Sequence, residues 1–79
     1  MDPIVDRLLT VFRLVLGDPT IQLDDETTAE DIEGWDSLAH INLMFSIENE
    51  FGIRFLGDEF ATFRNVGELR RSIETKLTR

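Results

Sequence analysis

Apolar positions recur at helical spacing in three stretches of the chain. In the first, Ile4, Val5, Leu8, Leu9, Val11, Phe12, Val15 and Leu16 share a face, with Asp6, Arg7 and Arg13 off it; this predicts an amphipathic helix over 3–16. Asp2 is placed to cap it, Pro3 suits its first position, and Gly17 followed by Asp18-Pro19 stops it. A second helix is predicted over 37–51. There Leu38, Ile41, Leu43, Met44, Phe45, Ile47 and Phe51 sweep more than half the circumference and leave Ala39, Asn42, Ser46, Asn49 and Glu50 as a stripe. A helix apolar on so many sides is central to a bundle or keeps apolar surface for a partner. Leu38 and Phe45 border the stripe and are the apolar residues expected to stay exposed.

Gly52 ends that helix, and Ile53-Arg54-Phe55-Leu56 reads as an extended connector. Residues 57–63 have room for one or two helical turns. The last helix opens at Asn65-Val66-Gly67-Glu68, whose Asn-x-x-Glu spacing resembles a capping box; Val66, Leu69, Ile73 and Leu77 line one face of it. The pattern predicts an all-α fold, a small four-helix bundle with three longer helices and one short one. Between the first two helices, residues 17–36 form a long loop, a feature usually functional or mobile in a domain this small. Ile21, Leu23, Ile32 and Trp35 are expected to tuck it onto the bundle. There is no internal repeat and no linker, so 1–79 reads as a single domain.

At 79 residues such a domain buries only roughly 60% of its unfolded surface, and its core is thin. The chain has no cysteine, so it has no disulfide framework and no thiolate metal site. The start MDPIVDRLL lacks the basic region of a signal peptide, and no apolar run reaches the roughly 18 residues of a membrane span. The expectation is a soluble, cytoplasmic monomer with no membrane insertion. The formal charge of −8 argues against nucleic acid as a partner. It is unevenly placed: Asp24, Asp25, Glu26, Glu30, Asp31, Glu33 and Asp36 put seven acids in thirteen residues, and Arg64, Arg70, Arg71, Lys76 and Arg79 place five bases in the last sixteen. The acidic stretch is either a solvated loop or a field that steers basic partners towards its Ser37 end.

Ser37 sits in Gly34-Trp35-Asp36-Ser37-Leu38-Ala39-His40, where the loop gives way to the second helix. A hydrolase nucleophile elbow needs Gly-x-Ser-x-Gly between a strand and a helix, with a histidine oriented by a third group. Here the spacing is Gly-x-x-Ser, no strand precedes it, and the single histidine, His40, lies three residues along the same helix with no evident orienting group. Self-sufficient catalysis is therefore rejected. Asp24-Asp25-Glu26 and Glu30-Asp31 lack the ligand alternation and central glycine of a calcium loop, and no metal site is expected. Asp36 or Ser37 can cap the second helix. What a cap alone leaves unexplained is the sequence of acid, hydroxyl and apolar residue beside an acidic loop, a hydroxyl that only an outside enzyme could modify.

These residues, with Ile41, Leu43, Ile47-Glu48 and Glu50-Phe51-Gly52-Ile53, resemble the acyl carrier proteins of the phosphopantetheine-attachment family over nearly the whole chain. The resemblance implies a non-catalytic carrier. Ser37 would hold a 4′-phosphopantetheine arm transferred from coenzyme A by a phosphopantetheinyl transferase, and the arm would hold acyl or aminoacyl groups as thioesters. Asp36 would help the transferase place its magnesium and the hydroxyl. Leu38, Ala39, Asn42, Phe45 and Glu48 would be read by the transferase and by acyl-activating, condensing or acyltransferase enzymes. Ile41, Met44, Phe51, Phe60 and Phe63 either line a space that shelters the acyl chain or simply fill the core.

Fatty-acid carriers of the family commonly bear acids where this chain has Ala39, Asn42 and Asn49, and a proline where it has Leu56; Arg54 adds a positive charge beyond the second helix. These departures point to a specialised acyl pathway with its own activating ligase. The competing reading is an acidic helical interaction module in which Ser37 is only a cap and Leu38 and Phe45 are binding anchors.

Overall fold

The computed structural model describes residues 3–57, 59 and 63–78. Among them are three α-helices and one short 3-10 turn, with no strand: α1 (Pro3–Leu16), the turn at Ala29–Asp31, α2 (Ser37–Phe51) and α3 (Val66–Leu77). The bounds expected for the first two helices and the start of the last agree with these. The expected cap at Asp2, and most of the short helical segment at 57–63, lie outside the described residues, so the fold stands as all-α with three helices and a 3-10 turn.

Each helix end has a local cause. Gly17 takes up φ 67°, and the Asp18 N–H reaches back to the Arg13 carbonyl at 3.1 Å. Gly52 does the same for α2 at φ 66°, with its own N–H and that of Ile53 converging on the Glu48 carbonyl; a side chain at such a φ meets steric resistance that glycine escapes. At the start of α3 the Asn65 side chain accepts the Glu68 N–H at 2.9 Å, but Glu68 returns its carboxylate to the Arg64 N–H, 3.1 Å away, one residue earlier than a reciprocal box requires.

The core is built from the inner faces of all three helices. Leu8, Val11 and Phe12 of α1 meet Leu43, Met44, Ile47 and Phe51 of α2 and Val66, Leu69 and Ile73 of α3. Ile53 and Phe55 join this core from the connector, and Ile21 joins it from the loop. Leu23, Ile32 and Trp35 are half-buried against this core, so the loop does lie on the bundle, as its apolar residues suggested.

Polar clasps complete the docking. Arg13 donates through Nε and Nη2 to the Ile21 carbonyl (3.0 and 2.8 Å). Arg7 lies 4.3 Å over the Phe51 ring and pairs with the Glu50 carboxylate at 2.9 Å. Thr27, buried in the loop, gives its carbonyl to the Val66 N–H (2.9 Å), and the Asp25 carbonyl takes the Gly67 N–H (2.9 Å). The loop thereby runs from α1 across to the head of α3 and delivers its last residues to the head of α2. No helix among the described residues is long and apolar enough to cross a membrane.

Candidate functional site at the head of helix 2

Asp36 and Ser37 have separate tasks. Asp36 is the cap: its backbone is extended, its Oδ1 accepts the Ala39 N–H at 2.8 Å, and its carbonyl accepts the His40 N–H at 2.8 Å. Ser37 is the first helical residue, exposed, and its hydroxyl makes no hydrogen bond among the described residues. A residue placed there rests at the positive end of the helix, beside backbone N–H groups that lack intrahelical partners. An oxyanion attached to that oxygen is favoured by the same field.

The apolar surface next to Ser37 is larger than the sequence suggested. Leu38 is 71% exposed and Phe45 58%, in the expected sense, but Ile41 joins them at 44%. Its position is a correction to the grouping of Ile41 with the interior residues. The buried side of α2 is set by Leu43, Met44, Ile47 and Phe51, and Ile41 is rotated well away from the centre of that face. Asn42 and Asn49 share the exposed side, whereas Ala39 is half-buried on its flank.

Glu48 also differs from expectation. Its Oε2 accepts the Phe55 N–H at 2.8 Å, so one carboxylate oxygen fastens the connector instead of facing outward. Beside it an open groove of about 460 Å³ is lined by Phe45, Glu48, Asn49, Gly52, Ile53 and Arg54. Of the proposed pocket residues, Met44 and Phe51 are buried in the core, and Phe63 is half-buried edge-on to Phe55 with ring centroids 5.6 Å apart. Phe60 lies outside the described residues.

His40 is oriented by a third group after all. The Trp35 indole Nε1–H donates to its Nδ1 at 3.0 Å, and the two rings lie nearly parallel at 19°. Trp35 in turn meets buried Phe12 edge-on, with centroids 4.9 Å apart. Sequence reasoning missed this pair; the signal was a tryptophan and a histidine five residues apart across a helix start. The pair braces the turn and does not activate Ser37, which bonds to neither ring.

The acidic stretch is largely structural. Asp24 accepts the Glu26 N–H and the Thr27 hydroxyl, Asp31 accepts the Thr28 N–H at 3.0 Å, Asp25 pairs with Arg70, and Asp36 caps α2. Among the described residues no group of acids and histidine could hold a metal ion.

The family described as "Phosphopantetheine attachment site" matches residues 6–73, a span that contains the whole of this site. No curated protein matches the chain. Among solved structures, the solution NMR structure of holo acyl carrier protein from Geobacter metallireducens is 42% identical, with a TM-score of 0.88. The match covers 98% of this chain and 88% of that one. A family match over most of the length, together with a neighbour alike in both sequence and fold, places the chain in the phosphopantetheine-attachment family, among the acyl carrier proteins.

Proposed function

We propose that Ser37 is the residue that carries the 4′-phosphopantetheine arm and that α2 presents it to the enzymes that load and unload acyl groups. The observation that carries this reading is the division of labour at the helix head. Asp36 supplies the cap, and the exposed Ser37 hydroxyl, which makes no hydrogen bond among the described residues, is open to an incoming enzyme. The residues suit the group: the arm is joined through a phosphate, and the first turn of a helix favours an anion at that oxygen. When bound, the arm supplies a terminal thiol that holds acyl groups as thioesters.

In the attachment step Ser37 Oγ loses its proton to a base on the transferase and forms the phosphoester bond as the phosphoanhydride of coenzyme A breaks. The nucleotide portion departs. Asp36 keeps Oδ1 on the Ala39 N–H, and its other carboxylate oxygen would help the transferase place its magnesium. The chain is thus a substrate of the transferase and not a catalyst. Leu38, Ile41 and Phe45 form the apolar surface that the transferase and acyl-processing enzymes meet, with Asn42 and Asn49 on the same side. Uncharged residues where fatty-acid carriers commonly bear acids weaken contact with strongly basic partners, by about 0.2–1 kcal/mol per lost pair. This favours a dedicated partner set in a specialised acyl pathway.

The test is the intact mass of the purified protein before and after incubation with coenzyme A, magnesium and a broad-specificity phosphopantetheinyl transferase. A gain of one phosphopantetheine in the native chain and none in Ser37→Ala is expected. A gain that survives in Ser37→Ala moves the arm to another residue, and no gain in either returns Ser37 to the role of an idle surface hydroxyl.

A further inference from the structure

We propose that Trp35 and His40 are positioning residues for Ser37, a side-chain clamp that holds the entry to α2 in the one conformation that presents the hydroxyl for modification. The proposal rests on the reading of Ser37 as the attachment residue.

The clamp closes a ring around the turn. The Trp35 indole N–H donates to His40 Nδ1 at 3.0 Å, while the His40 backbone N–H donates to the Asp36 carbonyl at 2.8 Å. His40 therefore grips the turn twice, once through its backbone and once through its ring. Ser37 lies between the gripped residues and is exposed, and its hydroxyl makes no hydrogen bond among the described residues. Trp35 anchors the ring to the rest of the fold through its edge contact on Phe12, a side chain of α1 that is fully buried.

The need for such an anchor follows from what precedes it. Gly34, at φ 89°, stands immediately before Trp35, and glycine leaves the chain direction loosely determined. The Asp36 cap fixes the backbone from residue 36 onward relative to α2, but it does not tie the loop to α1. Trp35 ties the turn both to Phe12 of α1 and to His40 of α2, and the hydrogen bond to His40 selects its ring orientation. An imidazole that accepts at Nδ1 carries its proton on Nε2. An asparagine at the same position offers Oδ1 at the same distance along the side chain and can accept the same bond.

Removing the bond loosens the turn without deleting any atom that a partner enzyme touches at the hydroxyl. If the competent conformation falls to a fraction of the population, apparent affinity falls by that fraction while the bound complex reacts as before. A net hydrogen bond corresponds to roughly a three- to tenfold change in such a population.

The experiment compares transfer of phosphopantetheine from coenzyme A to the apo forms of the native chain, Trp35→Phe, His40→Leu and His40→Asn, at a temperature where circular dichroism shows each folded. Trp35→Phe and His40→Leu are expected to raise the KM for the carrier roughly three- to tenfold with kcat within about twofold, and His40→Asn to restore the native value. In parallel, the indole N–H resonance of the chain's single tryptophan, followed by ¹⁵N NMR, is expected to move in His40→Leu and to stay near its native position in His40→Asn. Native KM in both Trp35→Phe and His40→Leu overturns the clamp and leaves the attachment reading standing. A loss in His40→Leu that His40→Asn does not rescue also overturns it, since the effect then belongs to packing. If a variant does not fold, an indole resonance in the native chain that shows no hydrogen bond overturns the clamp by itself. A native chain that takes up no arm overturns both readings.

Discussion

Arg70 of α3 grips Asp25 of the long loop with two hydrogen bonds, Nε to Oδ1 and Nη2 to Oδ2, each 2.9 Å. The residues are 45 positions apart in sequence. Arg70 also pairs with Glu74 one turn along its own helix, and its side chain is only 17% exposed. A loop residue is thus fastened to the far helix by the two-pronged pairing at which arginine surpasses lysine.

This pairing makes stability depend on acid. The hydrogen bonds from Arg70 hold the Asp25 carboxyl below its ordinary value of 3.8, against the smaller opposing effect of desolvation, and Thr20 does the same for Asp18. A carboxyl that binds its proton more weakly folded than unfolded contributes its stability fully above that ordinary value. The contribution is lost as pH falls below it, through the lowered folded value. Asp25→Asn is expected to reduce Tm at neutral pH, with the gap to the native chain closing below pH 3.8. Thermal melts of both proteins across the acid range check this.

The buried Thr27 links the loop internally: its hydroxyl accepts the Asp24 N–H at 3.0 Å and lies 3.2 Å from the Asp24 carboxylate. Thr27→Val keeps the shape and removes the hydroxyl, leaving a donor without its partner. A loss of about 1–3 kcal/mol is expected in urea unfolding. Amide hydrogen exchange at Val66, which bonds to the Thr27 carbonyl, should accelerate as well.

At Gly67 the loop backbone lies close against α3. A Cβ there would stand 2.9 Å from the Asp25 carbonyl oxygen and 3.0 Å from the Asp25 Cβ. Gly67→Ala, ordinarily favourable inside a helix, is therefore expected to destabilise by about 1–3 kcal/mol through overpacking. Equilibrium denaturation would show it, with far-UV circular dichroism reporting helix content close to native.

The two residues at the head of α2 should respond oppositely to alanine. Asp36→Ala removes the cap and is expected to cost about 0.5–2 kcal/mol. Ser37→Ala should change stability by less than about 0.5 kcal/mol while abolishing phosphopantetheine uptake. Paired denaturation curves and intact masses separate the roles that the sequence left joined.

Much of the architecture was legible because it depends on local chemistry. Pro3 and Gly17 bound α1, Gly52 ends α2, and Asn65 starts α3, each through a backbone preference that acts within a few residues. The exposed Leu38 and Phe45 followed from helical periodicity alone. Ile41 did not, because the width of the buried face depends on which neighbours pack against α2, and periodicity cannot rank residues at the edge of a broad apolar arc. The 3-10 turn at Ala29–Asp31 was hidden for a similar reason, within an acidic stretch whose carboxylates close small turns and leave no periodic trace.

The sequence by itself determined the three helices, the loop between the first two, and the candidate residue at the head of α2, since all of these arise from short-range preferences and recognisable motif spacing. Only the tertiary structure decided that Asp36 is the cap, that Trp35 joins Phe12 to His40, and that Asp25 reaches Arg70. Those contacts join segments whose meeting depends on how the helices pack, and a pair 45 residues apart has no local signature before the core has formed.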